Sequence, residues 1–519
     1  MSHTIKTMYV VHHSHTDIGY TDLQERVIQC QINYIRSVLQ LMKQPENQDF
    51  RWNCETWFCV EQFLKTATPE EQEEFFQLLR EGRIGLSASY LNFTDLADSQ
   101  VLSHRMDQMC QVLEEHHIRP TTAMFADING ISMGQRDDLI NHGVEFLYTN
   151  IHCHHGMYPL YQNQTAYWWE NAQGKRLLVW NGEHYHMGNA MGIRPNPVSN
   201  SMIEGYFGDQ SGLGDPVDTL HHNVDVYLTQ CEENGYPYDF VILSVSGVFS
   251  DNAPAEPEIL RVIQELNRRY GEEFQLRMVS LQELYAAVRD KLQDSPVYRG
   301  DLTDWWANGV GSTAYAVKHF ADARQRYHLC HRLEKDLDQK YPQLVQAAED
   351  NLLLYAEHTW GHSCTITHPY ETMVLNLDMR KSSYASKAHE AASLMLMHIA
   401  EEKGDLLRYY NTSGQLTVQA PNRVDGPQTV ELYLENWEVS RVKVTREDGT
   451  ELPTQVSPHP RGRRITFLDT FGPGETRRYQ FQTVPPVWEQ VNSRRAYRGA
   501  ERIRDIVNDF DPVTYLLPY

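Results

Sequence analysis

The chain has 519 residues, 41% hydrophobic and 22% charged, a net charge of -23, and no window near the ~18 uninterrupted apolar residues that a spanning helix needs. That balance excludes nucleic acid, whose phosphates call for clustered Lys and Arg, and a membrane partner. It leaves a core large enough for several domains and favours a neutral or cationic small substrate. Eight scattered cysteines, and an apolar run at the amino terminus too short for a secretory signal, point to a reduced, cytoplasmic protein; a homo-oligomer is compatible with the sequence.

From residue 7 to about 300, short β-branched or aromatic runs alternate with longer amphipathic stretches, the pattern of strand-helix units around a largely parallel sheet. Strands are predicted over Met8–His12, Phe50–Cys54, Ile84–Ala88, Thr122–Ala126, Phe146–Thr149, Leu177–Trp180, Phe240–Ser244 and Gln275–Val279. Helices are predicted over Leu23–Met42, Pro69–Glu81, Gln100–His116, Met133–Asn141 and Pro257–Tyr270. The expected class is α/β, with a barrel-like (β/α)7 catalytic domain over residues 1–305. Helical spacing over Tyr315–Lys340, Tyr341–Glu357 and Ser382–Glu402 predicts a three-helix bundle over 306–404. Period-2 runs such as "QTVELYLENW" and "RVKVTREDG" then predict a β-sandwich-like domain over 405–519. Near its end Arg494, Arg495, Arg498, Arg502 and Arg504 alternate with Glu501 and Asp505, which reads as a solvated helix face.

Three stretches carry chemistry. In "YVVHHSHTDIGY" the alternation of an extended segment puts His15 and Asp17 on one face, just past a strand's end, where α/β sheets hold their ligands. A neutral imidazole beside a carboxylate suits a divalent ion, zinc most naturally; hydrogen-bonded loop residues are the plainer alternative. "TTAMFADING" delivers Asp127 at a corresponding place, where an Asx turn or a helix cap would also account for it. In "YAEHTWGHSCT" a helix ends amid His358, Trp360, Gly361 and His362, and His358 is either a ligand or a partner of the last carbonyls. The cluster His152, His154 and His155 reads as a substrate-contacting loop in preference to a second metal site.

Together these stretches resemble glycoside hydrolase family 38, the α-mannosidases, over about residues 8 to 365. "HHSHTDIGY" is similar to that family's His-Ser-His-x-Asp-x-Gly-Trp segment, which implies His15 and Asp17 as zinc ligands and Tyr20 at the sugar floor. The resemblance of "FADING" implies Asp127 as both ligand and nucleophile, and His358 would be the fourth ligand. Departures are plain. "VILSVSGVFSDNAP" holds one candidate acid, Asp251, where the family has a paired-Asp segment. Asn150 and His152 stand where a sugar-recognising Arg is usual, and the β-rich end is short.

The implied reaction is retaining hydrolysis of a terminal α-linked sugar through a glycosyl-Asp127 intermediate, with Asp251 as general acid and Asp304 and Glu183 in reserve. Tyr20, Trp305 and Trp360 would offer aromatic faces to the sugar. Two other readings fit the same residues: a metal-dependent carbohydrate deacetylase on a similar barrel, against which His358 speaks, and an inactive zinc-containing glycan-binding relative.

Overall fold

The computed structural model describes residues 3–128, 130–150, 163–194, 207, 214–246, 251–302, 308–403, 412–436 and 439–484. The predicted His152, Asp304 and Trp305, the histidines 154 and 155, and the arginines beyond 490 lie outside them. The chain divides into two compact units, residues 1–396 and 397–519.

All eight predicted strands of the first unit are present. They are β1 (Thr7–His13), β2 (Trp52–Cys54), β3 (Ile84–Leu86), β4 (Thr122–Ala126), β5 (Phe146–Asn150), β7 (Arg176–Asn181), β8 (Phe240–Ser246) and β9 (Gln275–Met278). Two more, β6 (Thr165–Glu170) and β10 (Val297–Tyr298), were not expected. Pairing among the described residues gives two five-stranded sheets where a barrel-like (β/α)7 domain is predicted. One runs β3-β2-β1-β8 with β9 also on β1, all parallel; the other runs β10-β6-β7-β5-β4, with β6 antiparallel to β7. Among the described residues no ladder pairs β3 with β4, and the join is made by a backbone bond, Ala88 N to Thr122 O at 2.9 Å, and by side chains: Thr122 Oγ1 donates to Leu86 O at 3.0 Å and Met124 N to Ser87 Oγ at 2.8 Å.

β1 and β8 are buried at almost every position, as parallel strands covered on both faces must be. Their side chains join Met124, Tyr148, Trp180 and Leu281 in one apolar core. The five helices predicted here form within a residue or two of their expected bounds, each burying apolar residues along one side. Pro216–Glu233 is an additional helix, opened by a capping box at Asp215 and Asp218.

The later part of this unit is helical, over Ala314–Leu333, Leu337–Lys340, Pro342–Ala356 and Thr372–Glu402, the last running past the unit boundary. The predicted first helix breaks at residues 334–336, and the last starts ten residues early. The second unit holds two antiparallel sheets, one of four strands and one of three, around Val444, Ile465, Phe467, Tyr479 and Phe481. No described helix is long and apolar enough to cross a membrane.

Candidate active site

The carboxyl ends of the parallel strands converge. β1 is followed by His15 and Asp17, β2 by Glu55, β4 by Asp127 and β8 by Asp251. β1 and β8 run parallel in register in one sheet, as β4 and β5 do in the other, and the residues that follow their carboxyl ends meet in a common space, where α/β sheets bind ligands. His358 arrives separately, after the helix Pro342–Ala356. The segment is sewn to residues 92–94: Thr94 N donates to Ala356 O, His358 N donates to Asn92 O, both at 3.0 Å, and Phe93 bridges Glu357.

His15, Asp17, Asp127 and His358 each present one ligand atom, and the four atoms lie within 4.8 Å of one another. His15 Nε2 is 3.2 Å from Asp17 Oδ1, 3.3 Å from His358 Nε2 and 3.5 Å from Asp127 Oδ2. His358 Nε2 is 3.4 Å from Asp17 Oδ1. None of the four is more than 7% exposed. Both oxygens of Asp17 are buried, and Oδ1 faces Nε2 of both imidazoles. Two imidazoles and two carboxylates around one point are a donor set for a divalent ion such as zinc.

Each imidazole turns its other nitrogen to a glutamate. Glu55 Oε1 pairs with His15 Nδ1 at 2.8 Å, and Glu357 Oε1 lies 2.9 Å from His358 Nδ1. Carboxylates in this position fix the tautomer and aim Nε2 at a metal. Glu55 also receives His13 Nδ1 at 2.7 Å and Asn92 Nδ2 at 2.6 Å. His13 therefore supports a ligand through Glu55. His12 is structural: its Nδ1 lies 2.9 Å from Val245 O, its Nε2 accepts from Glu256 N at 3.1 Å, and burial lowers its pKa to about 3.

Electrostatics follow from burial and these pairs. Burial opposes charging His15 and His358, yet Glu55 and Asp17 hold the first well above the usual imidazole range, and Glu357 and Asp17 bring the second up to about 10. Asp17 is drawn down to about 2 against its own burial, by His15 and then His358. Asp127 moves the other way: burial pushes it well above the carboxylate range, and the charges of Asp251 and Asp17 add to that. Burial and Asp17 raise Asp251 as well. A divalent ion would neutralise this crowding of acids and replace the protons on Nε2.

Asp127 sits at φ +59°, a left-handed backbone that Asp tolerates better than most residues, with its N–H donating to Asn150 O at 3.0 Å. Gly19, at φ +115°, and Tyr20, at +55°, turn the chain after Asp17. Tyr20 is half-buried and stacks on His362 with ring centroids 6.1 Å apart. Asn252 clasps the same loop, accepting Asp17 N at 3.2 Å and donating to Asp17 O at 3.1 Å. Asp251 Oδ1 accepts the Tyr185 hydroxyl at 2.7 Å and lies 3.5 Å from His186 Nε2.

Asn150, expected at the sugar pocket, is fully buried and engaged within the protein. Its Nδ2 donates to the Tyr148 hydroxyl at 3.0 Å and to Glu183 O at 2.7 Å, while its Oδ1 accepts Ser244 Oγ at 3.1 Å. At a strand's end between two polar neighbours, this amide braces β5 against β8. Glu55, Glu357, Asn252 and Tyr185 were not singled out from the sequence; only Glu357, adjacent to His358, carried a signal there.

Fold and site thus define an α/β protein with a candidate metal centre and two carboxyl groups of raised pKa, Asp127 within that centre and Asp251 beside it, beyond the ends of its parallel strands. The model of the glycosyl hydrolases family 38 N-terminal domain matches residues 6–301, more than half of the chain, and the chain belongs to that family. Among solved structures it is similar to an alpha-mannosidase from Enterococcus faecalis V583, with a TM-score of 0.63 at 14% identity over 92% of this chain and 56% of that one. A second glycosyl hydrolase family 38 protein from Enterococcus faecalis gives 0.57 at 11% identity, over 93% and 55%. The chain spans little more than half the length of these relatives, and the likeness shows the fold. No curated protein matches.

Proposed function

We propose that this glycoside hydrolase is a zinc-dependent, retaining, α-mannosidase-like enzyme that removes a terminal α-linked sugar. The observation that carries the reading is the convergence of His15, Asp17, Asp127 and His358 within 4.8 Å, with each imidazole backed by a glutamate. Zinc, when bound, would act as a template and electrophile that favours vicinal cis hydroxyls such as mannose presents at O2 and O3.

The chain's own residues do the rest. Asp127, in its turn at the end of β4, attacks the anomeric carbon and holds the sugar as an ester. Asp251, whose protonated form is favoured by burial and by the charge of Asp17, gives its proton to the leaving oxygen and then takes one from the water that cleaves the ester. Tyr185 orients Asp251 through its hydroxyl, and Tyr20 and Trp360 offer aromatic faces to the sugar's C–H groups.

The ten strands of the first unit support a barrel-like catalytic domain over residues 1–305, followed by a three-helix bundle over 306–404 and a β-sandwich-like domain over 405–519. The seven described cysteines are all free, which supports a reducing, cytoplasmic setting.

Metal analysis of the purified protein, with His15→Ala and His358→Ala beside it, and turnover of aryl α-mannosides and acetylated sugars test this reading. One zinc per chain, lost in both variants, with glycoside cleavage only, is expected. Metal retained in both, or deacetylation alone, refutes it.

A further inference from the structure

Lys381, on the helix Thr372–Glu402, is 1% exposed, an unusual place for an ammonium group. All three of its protons find acceptors at one spot: Leu354 O at 2.9 Å, Glu357 O at 2.8 Å and Glu357 Oε2 at 3.0 Å. The two carbonyls belong to the end of the helix Pro342–Ala356, where the backbone oxygens lack helical partners and the dipole favours a cation. Nζ also lies 4.2 Å from the centroid of the Trp360 ring, within cation–π range.

Glu357 is the hub that this cation grips. Its Oε2 accepts Lys381, Thr359 N and Thr359 Oγ1; its Oε1 faces His358 Nδ1 and accepts Ile18 N at 3.3 Å. Ile18 directly follows Asp17, and Thr359 Oγ1 donates back to Ile18 O at 3.3 Å. One carboxylate therefore ties the loop carrying Asp17 to the segment carrying His358. Without its cation that carboxylate would be a buried anion short of a partner, free to turn away from the imidazole.

We infer that Lys381 is a positioning residue that sets two things at once: through Glu357 the aim of His358 at the metal, and through direct contact the orientation of the Trp360 ring. The inference rests on the reading of His15, Asp17, Asp127 and His358 as a zinc centre. A helix lysine held only for stability would leave zinc affinity and substrate recognition alone once the protein had folded.

Lys381→Met keeps the length of the side chain and removes the charge; Glu357→Gln removes the carboxylate and leaves the lysine its two carbonyls. Zinc affinity is read by competition with a fluorescent chelator, folding by circular dichroism, and kcat and KM with an aryl α-mannoside at saturating zinc. We expect each variant to bind zinc about 10–100-fold more weakly, the range for losing a ligand's supporting partner. The double variant should be no worse than Glu357→Gln alone, since both act through one link. At saturating zinc Lys381→Met should recover most of kcat while KM stays several-fold raised, and Lys381→Arg should recover part of the zinc affinity.

Wild-type zinc affinity and KM in folded Lys381→Met overturn the inference while leaving the zinc centre standing. If Lys381→Met does not fold, unchanged zinc affinity in Glu357→Gln overturns it equally. A wild-type protein that binds no zinc overturns the zinc reading and this inference with it.

Discussion

Replacing Asp251 by Asn tests the proposed chemistry at the step where the sequence departs from the family pattern, the general acid. The side chain is 20% exposed, accepts the Tyr185 hydroxyl at 2.7 Å and lies 3.5 Å from His186 Nε2. Asparagine has the same shape, and its carbonyl can keep the Tyr185 bond, so the substitution removes a proton donor and little else. General acid catalysis contributes roughly 10²–10⁴ in rate, about 3–5 kcal/mol of barrier. That loss should appear in full on an α-mannoside with a poor phenol leaving group. It should shrink to under about tenfold for formation of the glycosyl-enzyme from a dinitrophenyl α-mannoside, whose leaving group needs no proton. Added azide, which needs no base, should attack the Asp127 ester and give an α-glycosyl azide. Stopped-flow release of phenol and product analysis by NMR read both effects. Equal losses on the two substrates, with no azide product, would refute Asp251 as the acid and move the role to another carboxyl group.

Glu55→Gln should weaken zinc binding about 10–100-fold by removing the acceptor behind His15, as chelator competition would show, and unchanged affinity would count against the site. Chelating the metal should lower the thermal midpoint, with recovery on adding zinc back, because an ion that binds only the folded site stabilises it. Buried neutral His12 has a depressed folded pKa, about 3, so its contribution is present above pH 6.5 and is lost as pH falls toward 3. The lost stability is bounded near 5 kcal/mol, and denaturation of His12→Gln across that range should show a correspondingly weaker acid dependence. A Cβ at Gly309 would stand 2.2 Å from Trp360 Cγ, so Gly309→Ala should displace the ring and raise KM with zinc binding intact; an unchanged KM would remove Trp360 from the sugar pocket.

The sequence reading located the strands because parallel strands buried on both faces are continuous apolar runs, as in β1, β4 and β8. His15, Asp17 and Asp127 stood out because each breaks such a run at its carboxyl end. β6, "TAYWWE", was missed because three aromatics among polar residues show no clean alternation, and its antiparallel pairing with β7 is a tertiary fact. Glu55 follows β2 yet reads like any loop acid; its meaning depends on His13 and His15, some forty residues away. Lys381 was invisible for the opposite reason, since a lysine on an amphipathic helix reads as solvated until the packing shows it enclosed. The partners of Asn150 were not legible either, because position at a strand's end says nothing about which neighbours will take up the amide.

The stitching of Glu357 to Ile18 has a consequence for synthesis of the chain. As the polypeptide emerges, His15, Asp17 and Asp127 appear early, but the fourth donor follows more than two hundred residues after Asp127. A nascent chain ending near Leu302 would hold three of the four ligands, with Asn252 but not Glu357 to hold the Asp17 loop, and would wait for the helical segment to supply the fourth. On the proposed function, catalytic competence is deferred until the segment carrying His358 has docked, so the smallest active piece reaches beyond the strands.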